Sequence, residues 1–174
     1  QRLFDPGALP RVQANAEDVR MVFIVGLPRS GTTLTEGILA RHSQVRSIGE
    51  SMALTEVMLW LRKGGEQSGA WDFLTDLTPA RLKEARQLFF ARAGVGEADA
   101  GRVVVDKMPM DCLDLGLARL ILPEARFVFM ARHPLDVGLS NFVTAFDRGN
   151  GIGVCFGDYD GEFWRGLGQC QEAY

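Results

Sequence analysis

Apolar and polar positions alternate along this chain in a way that predicts strands and helices in turn. Residues 21–25 form a short apolar run rich in β-branched residues, which is typical of a strand buried on both faces. Longer segments with apolar residues three or four positions apart indicate helices. The predicted strands are residues 21–25, 45–48, 103–105 and 127–130, and the predicted helices are residues 32–41, 52–62, 79–93, 111–122 and 135–146. This order predicts an α/β fold with a mostly parallel central sheet, right-handed crossovers and flanking helices.

The helix predicted over residues 79–93 has an amphipathic pattern. Thr78 and Pro79 are typical of the N-cap and the first position of a helix. The residues that recur at helical spacing on its apolar face are Leu82, Ala85, Leu88 and Phe89, and those expected to face outward are Arg81, Lys83, Glu84 and Arg86.

A glycine-bracketed loop follows the first predicted strand and opens the first predicted helix. From Gly26 to Thr33 it is Gly-Leu-Pro-Arg-Ser-Gly-Thr-Thr. It keeps the glycine spacing of a nucleotide-triphosphatase loop, but Thr32 stands where that loop has lysine. Unpaired amides and the helix dipole attract anions to such a helix start, and the Arg29 guanidinium can grip two oxygens of one anionic group. The loop therefore predicts a phosphate-binding site for a nucleotide other than ATP, with a turn that binds nothing as the alternative.

Composition narrows the classes of function. The 174 residues carry 19 basic and 22 acidic side chains with a net charge of −3, and the basic ones form no run, which argues against nucleic-acid binding. The cysteines are odd in number and have no metal-ligand spacing, so we expect neither a metal site nor a disulfide framework. The sequence contains no run of about 18 apolar residues, so it predicts no transmembrane segment. The cytoplasm is the expected compartment. The cysteines are Cys112, Cys155 and Cys170, and the histidines are His42 and His133.

Charged residues follow the predicted strands directly. Apart from the loop after the first strand, these segments are Gly49-Glu50, Asp106-Lys107-Met108-Pro109 and Arg132-His133-Pro134. Ligands of parallel α/β sheets lie beyond the carboxyl ends of the strands. The pattern therefore predicts a site at this edge for an anionic ligand, with one carboxylate beside it.

In this order and spacing, the four segments resemble the sulfotransferase superfamily, the last of them running from Arg132 to Ser140 as Arg-His-Pro-Leu-Asp-Val-Gly-Leu-Ser. Within it, the chain looks most similar to tyrosylprotein sulfotransferases and to bacterial sulfotransferases that are often attached to tetratricopeptide repeats. The resemblance implies a P-loop-like three-layer fold. It also implies an enzyme that moves the sulfuryl group of 3′-phosphoadenosine 5′-phosphosulfate (PAPS) to a hydroxyl acceptor and leaves 3′-phosphoadenosine 5′-phosphate (PAP), without a metal. A tyrosine peptide, a carbohydrate and a small molecule stay open as acceptors.

The resemblance further implies the roles of individual residues. Glu50 matches a carboxylate that serves as general base, and Lys107 matches a lysine that neutralises the bridging oxygen of the leaving group, an effect that Arg29 would share. Arg132 and Ser140 match the pair that binds the 3′-phosphate of the ribose. The residues expected to bind the 5′-phosphosulfate are Arg29, Ser30, Gly31, Thr32, Thr33 and Leu34.

Each of these residues, taken singly, has a plainer interpretation. Glu50 could simply interact with the dipole of the next helix near its N-terminus. Lys107 could be a solvated turn residue that Asp106 orients through an ion pair. Arg132 could form a surface salt bridge, and Ser140 could be a helix-packing hydroxyl. For the whole chain, the alternatives to a sulfotransferase are a nucleotide-binding module without turnover and a kinase-like phosphoryl transferase.

The sequence also suggests how the chain is organised. Residues 1–20 are expected to be a polar entry segment, and residues 21–174 a sulfotransferase domain that is truncated at its C-terminus, with the last adenine and 3′-phosphate contacts past Tyr174. Thr144 stands where some tyrosylprotein enzymes carry a basic residue. The candidate partners that the resemblance adds are upstream tetratricopeptide repeats and a second copy of the chain, in a bacterial cytoplasm.

Overall fold

Four parallel strands form the central sheet in the computed structural model, which describes residue 12 and residues 19–62, 73–74 and 77–143. Their order across the sheet is β2-β3-β1-β4, so the first strand lies inside the sheet with a neighbour on each side. The strands are β1 (Arg20–Gly26), β2 (Val45–Gly49), β3 (Val103–Lys107) and β4 (Arg126–Met130).

Helices cover both faces of this sheet. The chain crosses it in one direction from β1 to β2 and in the opposite direction from β2 to β3 and from β3 to β4. Right-handed crossovers therefore place α1 on one face and α2, α3 and α4 on the other, which gives three layers. The helices are α1 (Thr32–Leu39), α2 (Ala53–Arg62), α3 (Pro79–Arg92), α4 (Leu115–Ile121) and α5 (Pro134–Val143). The predicted fold class is confirmed.

The main hydrophobic core lies between the sheet and the layer formed by α2, α3 and α4. Phe23 of β1 lies against Phe89 of α3 and Phe127 of β4, with ring centroids 5.8 and 5.6 Å apart. Full burial of a side chain of this size contributes about 1.5–3 kcal/mol. Ile24, the next residue along β1, points to the opposite face and is also fully buried. The prediction that this strand is buried on both faces is therefore confirmed.

The helix α3 agrees with its predicted start and differs from its predicted outer face. The Thr78 hydroxyl accepts a hydrogen bond from the Arg81 amide at 3.2 Å, so Thr78 is the N-cap. Arg86, however, is buried, and the prediction that it faces outward is wrong. Its guanidinium forms an ion pair with Glu124 at 2.6 Å and donates to the Ile121 carbonyl at 2.9 Å. These two partners compensate the desolvation of the charge.

Several boundaries differ from those predicted. The helix predicted over residues 111–122 begins as a 3₁₀ segment, Pro109–Leu113, and α4 starts only at Leu115. The strand predicted over residues 103–105 extends to Lys107. Among the described residues, no helix is long and apolar enough to cross a membrane. Most of the predicted entry segment over residues 1–20 falls outside the described part of the chain. So do the end of the helix predicted over residues 135–146 and the predictions for Thr144, Cys155 and Cys170.

Candidate active site at the carboxyl edge of the sheet

The loop between β1 and α1 has a backbone conformation that requires glycine at particular positions. Gly26 has φ 146°, and a Cβ there would lie 2.7 Å from the backbone oxygen of Met130 in β4. Gly31 has φ 106°, and Arg29 adopts a left-handed φ of 71° that is uncommon for a residue with a side chain. Strained conformations of this kind concentrate at ligand-binding loops. Only glycine fits the close approach of this loop to β4.

The first turn of α1 presents unpaired polar groups. The amide of Thr35 is the first that bonds back into the helix, to the Gly31 carbonyl at 3.1 Å, and no side chain caps this helix. The amides of residues 32–34 therefore lack helical partners. The Ser30 hydroxyl beside them is buried and has no hydrogen-bond partner. Because a buried polar atom without a partner is costly, this cradle fits an oxyanion that would accept these hydrogens.

Helix α5 brings a second set of donors to the same loop. The Nε atom of Arg29 donates to the Ser140 hydroxyl at 3.1 Å, although the two residues are 111 positions apart. Arg132 donates from Nη1 to the Arg29 carbonyl at 3.1 Å and lies 3.8 Å from the Asp136 carboxylate. Asn141, which is buried, donates to the carbonyl of Pro28 at 3.1 Å. The guanidinium groups of Arg29 and Arg132 and the hydroxyl of Ser140 thus lie together at this loop.

Glu50 and Lys107 meet at the neighbouring strand ends. Gly49 of β2 lies opposite Asp106 of β3. The residues that follow them, Glu50 and Lys107, therefore come together in an ion pair. Lys107 is only 5% exposed, whereas the Glu50 side chain is 57% exposed. The interpretation of Lys107 as a solvated turn residue is therefore wrong. The buried ammonium group is held at the carboxyl edge of the sheet.

Comparison with known proteins assigns this arrangement to a family. Residues 21–165 match the Sulfotransferase family. The chain belongs to the sulfotransferase family. It is 31% identical over 161 residues to a protein without an assigned function from Aquifex aeolicus (strain VF5), a match that covers 88% of the chain and 21% of that relative.

Protein-tyrosine sulfotransferases are also similar to this sulfotransferase-family chain. It is 29% identical to protein-tyrosine sulfotransferase 1 of Danio rerio and 27% identical to that of Homo sapiens, each over 120 residues and 67% of the chain. These matches cover 33% and 32% of the two relatives. The chain therefore spans about a third or less of the length of these relatives.

Two buried carboxyl groups lie behind the site of this sulfotransferase-family chain. Asp106 is fully buried and its carboxylate forms no ion pair or hydrogen bond with a side chain, so the predicted ion pair with Lys107 is wrong. Burial raises the pKa of Asp106 to about 7, against an opposing contribution from the Ser51 backbone. Burial also raises the pKa of Asp111 to about 8, with further contributions from the charges of Asp106 and Asp114. Desolvation of the charged form is the main cause in both.

Two residues of this neighbourhood, Glu36 and Asn141, were not predicted from the sequence. Glu36 of α1 lies 3.7 Å from Lys107 Nζ through Oε2 and accepts a hydrogen bond from the Ser47 hydroxyl. Asn141 supports the loop through its contact with Pro28. Helical spacing was the available signal for Glu36, since it lies four positions after Thr32, which is buried. Asn141 has no comparable signal, because its contact depends on how α5 docks.

Proposed function

We propose that this chain transfers the sulfuryl group of PAPS to a hydroxyl acceptor, with a tyrosine peptide, a carbohydrate and a small molecule as the candidate acceptor classes. The observation that carries the proposal is the contact of Arg29 with Ser140 at the start of α1, with Arg132 bonded to the same loop. These donors suit a ligand that carries an anionic group at each end of one nucleoside. The family and the similarity to protein-tyrosine sulfotransferases point to the same chemistry.

The loop residues and α5 would divide the donor between them. The amides and hydroxyls of the α1 start, together with Arg29, would bind the 5′-phosphosulfate. Arg132 and Ser140 would bind the 3′-phosphate, since both contact the loop from the side of α5. The residues proposed for the 5′-phosphosulfate are Arg29, Ser30, Gly31, Thr32, Thr33 and Leu34. Thr32 in place of a lysine fits a ligand that is not a magnesium-bound triphosphate.

Glu50 and Lys107 would carry the transfer. In the reaction, the acceptor oxygen bonds to sulfur while the bond from sulfur to the bridging phosphate oxygen breaks. Glu50, the more exposed partner, would accept the acceptor's proton, and Lys107 with Arg29 would stabilise the charge that develops on the bridging oxygen. Because Lys107 forms an ion pair with Glu50, its ammonium group would have to shift toward the bridging oxygen for Glu50 to act as base.

The test begins with calorimetric binding of PAP, with ATP plus magnesium as the competing ligand. Preference for PAP supports the proposal, and preference for ATP contradicts it. Arg132→Ala should weaken PAP binding by about tenfold or more, because a hydrogen bond to a charged group contributes about 1.5–3 kcal/mol. The matched control is Arg20→Ala, which removes an exposed arginine at the opposite end of β1 and should leave the affinity unchanged.

An assay of sulfuryl transfer distinguishes the proposed base from the residues that only bind the donor. Radiolabelled PAPS is offered with a panel of one tyrosine peptide, one oligosaccharide and one phenol. Glu50→Ala should reduce transfer by about 10²–10⁴-fold with little change in PAP affinity. A Glu50→Ala variant that keeps full activity would remove the assignment of the base. A wild-type chain that binds PAP and transfers nothing would favour a nucleotide-binding module.

A further inference from the structure

Lys107 is held between two carboxylates that differ in their surroundings. Glu50 contacts its ammonium group from the end of β2, and Glu36 lies 3.7 Å from it on α1. The Glu36 side chain is 15% exposed, whereas that of Glu50 is 57% exposed. The inner partner of Lys107 is therefore Glu36, and Glu50 is the outer one.

Glu36 is fixed by a hydrogen-bond chain that Glu50 does not share. The Gly49 amide donates to the Ser47 hydroxyl at 3.1 Å, and that hydroxyl donates to Oε1 of Glu36. The other oxygen, Oε2, is the one that faces Lys107. One end of the Glu36 carboxylate is thus bound to β2, so its other end stays directed at the ammonium group.

The second carboxylate beside the buried ammonium group of Lys107 matters because the first one, Glu50, is the proposed base. An isolated buried charge has a desolvation penalty of several kcal/mol and needs a partner to offset it. Glu50 loses its charge as soon as it takes a proton, so it cannot compensate Lys107 throughout the reaction. Glu36 keeps its charge and can compensate Lys107 throughout the reaction, because its hydrogen bond to Ser47 needs no change.

We propose that Glu36 is a positioning residue that holds the Lys107 ammonium group in the site while Glu50 is released to act as base. The inference rests on the proposed function for its catalytic consequence, but the coupling of Glu36 to Lys107 is independent of it. Glu36 acts through Lys107 and contacts neither the acceptor nor the donor in this scheme.

The test compares Glu36→Gln with Glu56→Gln. Both replace a helix glutamate that faces a basic side chain, but Glu56 is exposed and pairs with Arg92 rather than with Lys107. With the acceptor of the panel that reacts, Glu36→Gln should lower kcat by about tenfold or more, because misplacement of a catalytic group costs rate. KM for PAPS and the affinity for PAP should stay within about threefold of wild type, since Glu36 is separate from the proposed donor contacts. An unchanged kcat, or a loss confined to KM, overturns the proposal.

A second measurement needs no turnover. Acetic anhydride labels neutral amines, and Lys107 is compared with the exposed Lys83 by mass spectrometry. Loss of the Glu36 charge should speed the labelling of Lys107 by about threefold or more relative to Lys83, because the amine loses its inner ion-pair partner. Unchanged labelling overturns the proposal even if the wild-type chain proves to have no transferase activity.

If Glu36→Gln does not fold, Ser47→Ala replaces it. This substitution removes the hydrogen bond to Oε1 of Glu36 and should produce the same two changes at smaller size. An effect of Ser47→Ala on thermal stability alone, with kcat and the labelling of Lys107 as in wild type, would assign these residues to folding and reject the positioning role.

Discussion

Asp111→Asn should stabilise the protein by an amount that grows as the pH rises. Asp111 is 2% exposed, one of its oxygens has no hydrogen-bond partner, and burial raises its pKa from 3.8 to about 8. Between these two pKa values the folded chain holds a proton that the unfolded chain releases. The wild-type stability that depends on Asp111 is therefore complete below the unfolded pKa and falls as the pH rises toward 8.

The size of the effect follows from the same shift. Within this window, each pH unit removes about 1.4 kcal/mol of stability through one such group. From pH 5 to pH 7 the advantage of Asp111→Asn over wild type should therefore grow by about 3 kcal/mol. The asparagine is neutral at both values, so any cost of its changed hydrogen bonding is the same and cancels in the comparison.

Urea unfolding followed by circular dichroism at pH 5, 6 and 7 measures this difference. The control is Asp136→Asn, whose side chain is 60% exposed and whose removal should leave the pH dependence of stability as in wild type. Parallel pH profiles for wild type and Asp111→Asn would mean that Asp111 is charged in the folded protein, and they would refute the argument from burial.

The remaining predictions concern the buried ion pair and the loop. Glu124→Gln should lower the free energy of unfolding by about 3 kcal/mol, because it removes the charge that pairs with the buried guanidinium of Arg86 at 2.6 Å. Glu56→Gln, in an exposed pair, should cost less than about 1 kcal/mol in the same denaturation assay. Gly26→Ala should lower the melting temperature and weaken PAP binding, since its Cβ would meet a backbone oxygen of β4 at 2.7 Å. Gly37→Ala in α1, where a Cβ meets nothing within 4 Å, should be neutral or stabilising, and equal effects at the two glycines would contradict the steric argument.

The local features of this protein could be predicted from the sequence because they depend on neighbours in the chain. The run before Gly26 is apolar on consecutive positions, which suits only a strand with both faces covered, and this was confirmed. The Thr78-Pro79 start of α3 was likewise recognisable, since capping involves residues three positions apart. The order of strands and helices also implied a parallel sheet, because a helix between two strands supplies the long crossover that parallel strands need.

The tertiary structure alone decided which distant side chains meet. Strand register brings Glu50 to Lys107, and the docking of α5 brings Ser140 to Arg29; neither distance can be read from spacing along the chain. Helical periodicity predicted that Arg86 faces solvent, because a charged residue is expected on the surface unless a partner for it in the interior is known. Only the folded structure shows that Glu124 is such a partner. The sequence by itself thus determined the elements and the residue types at the carboxyl edge, whereas packing decided their partners, since burial and pairing of charges depend on segments far apart in the chain.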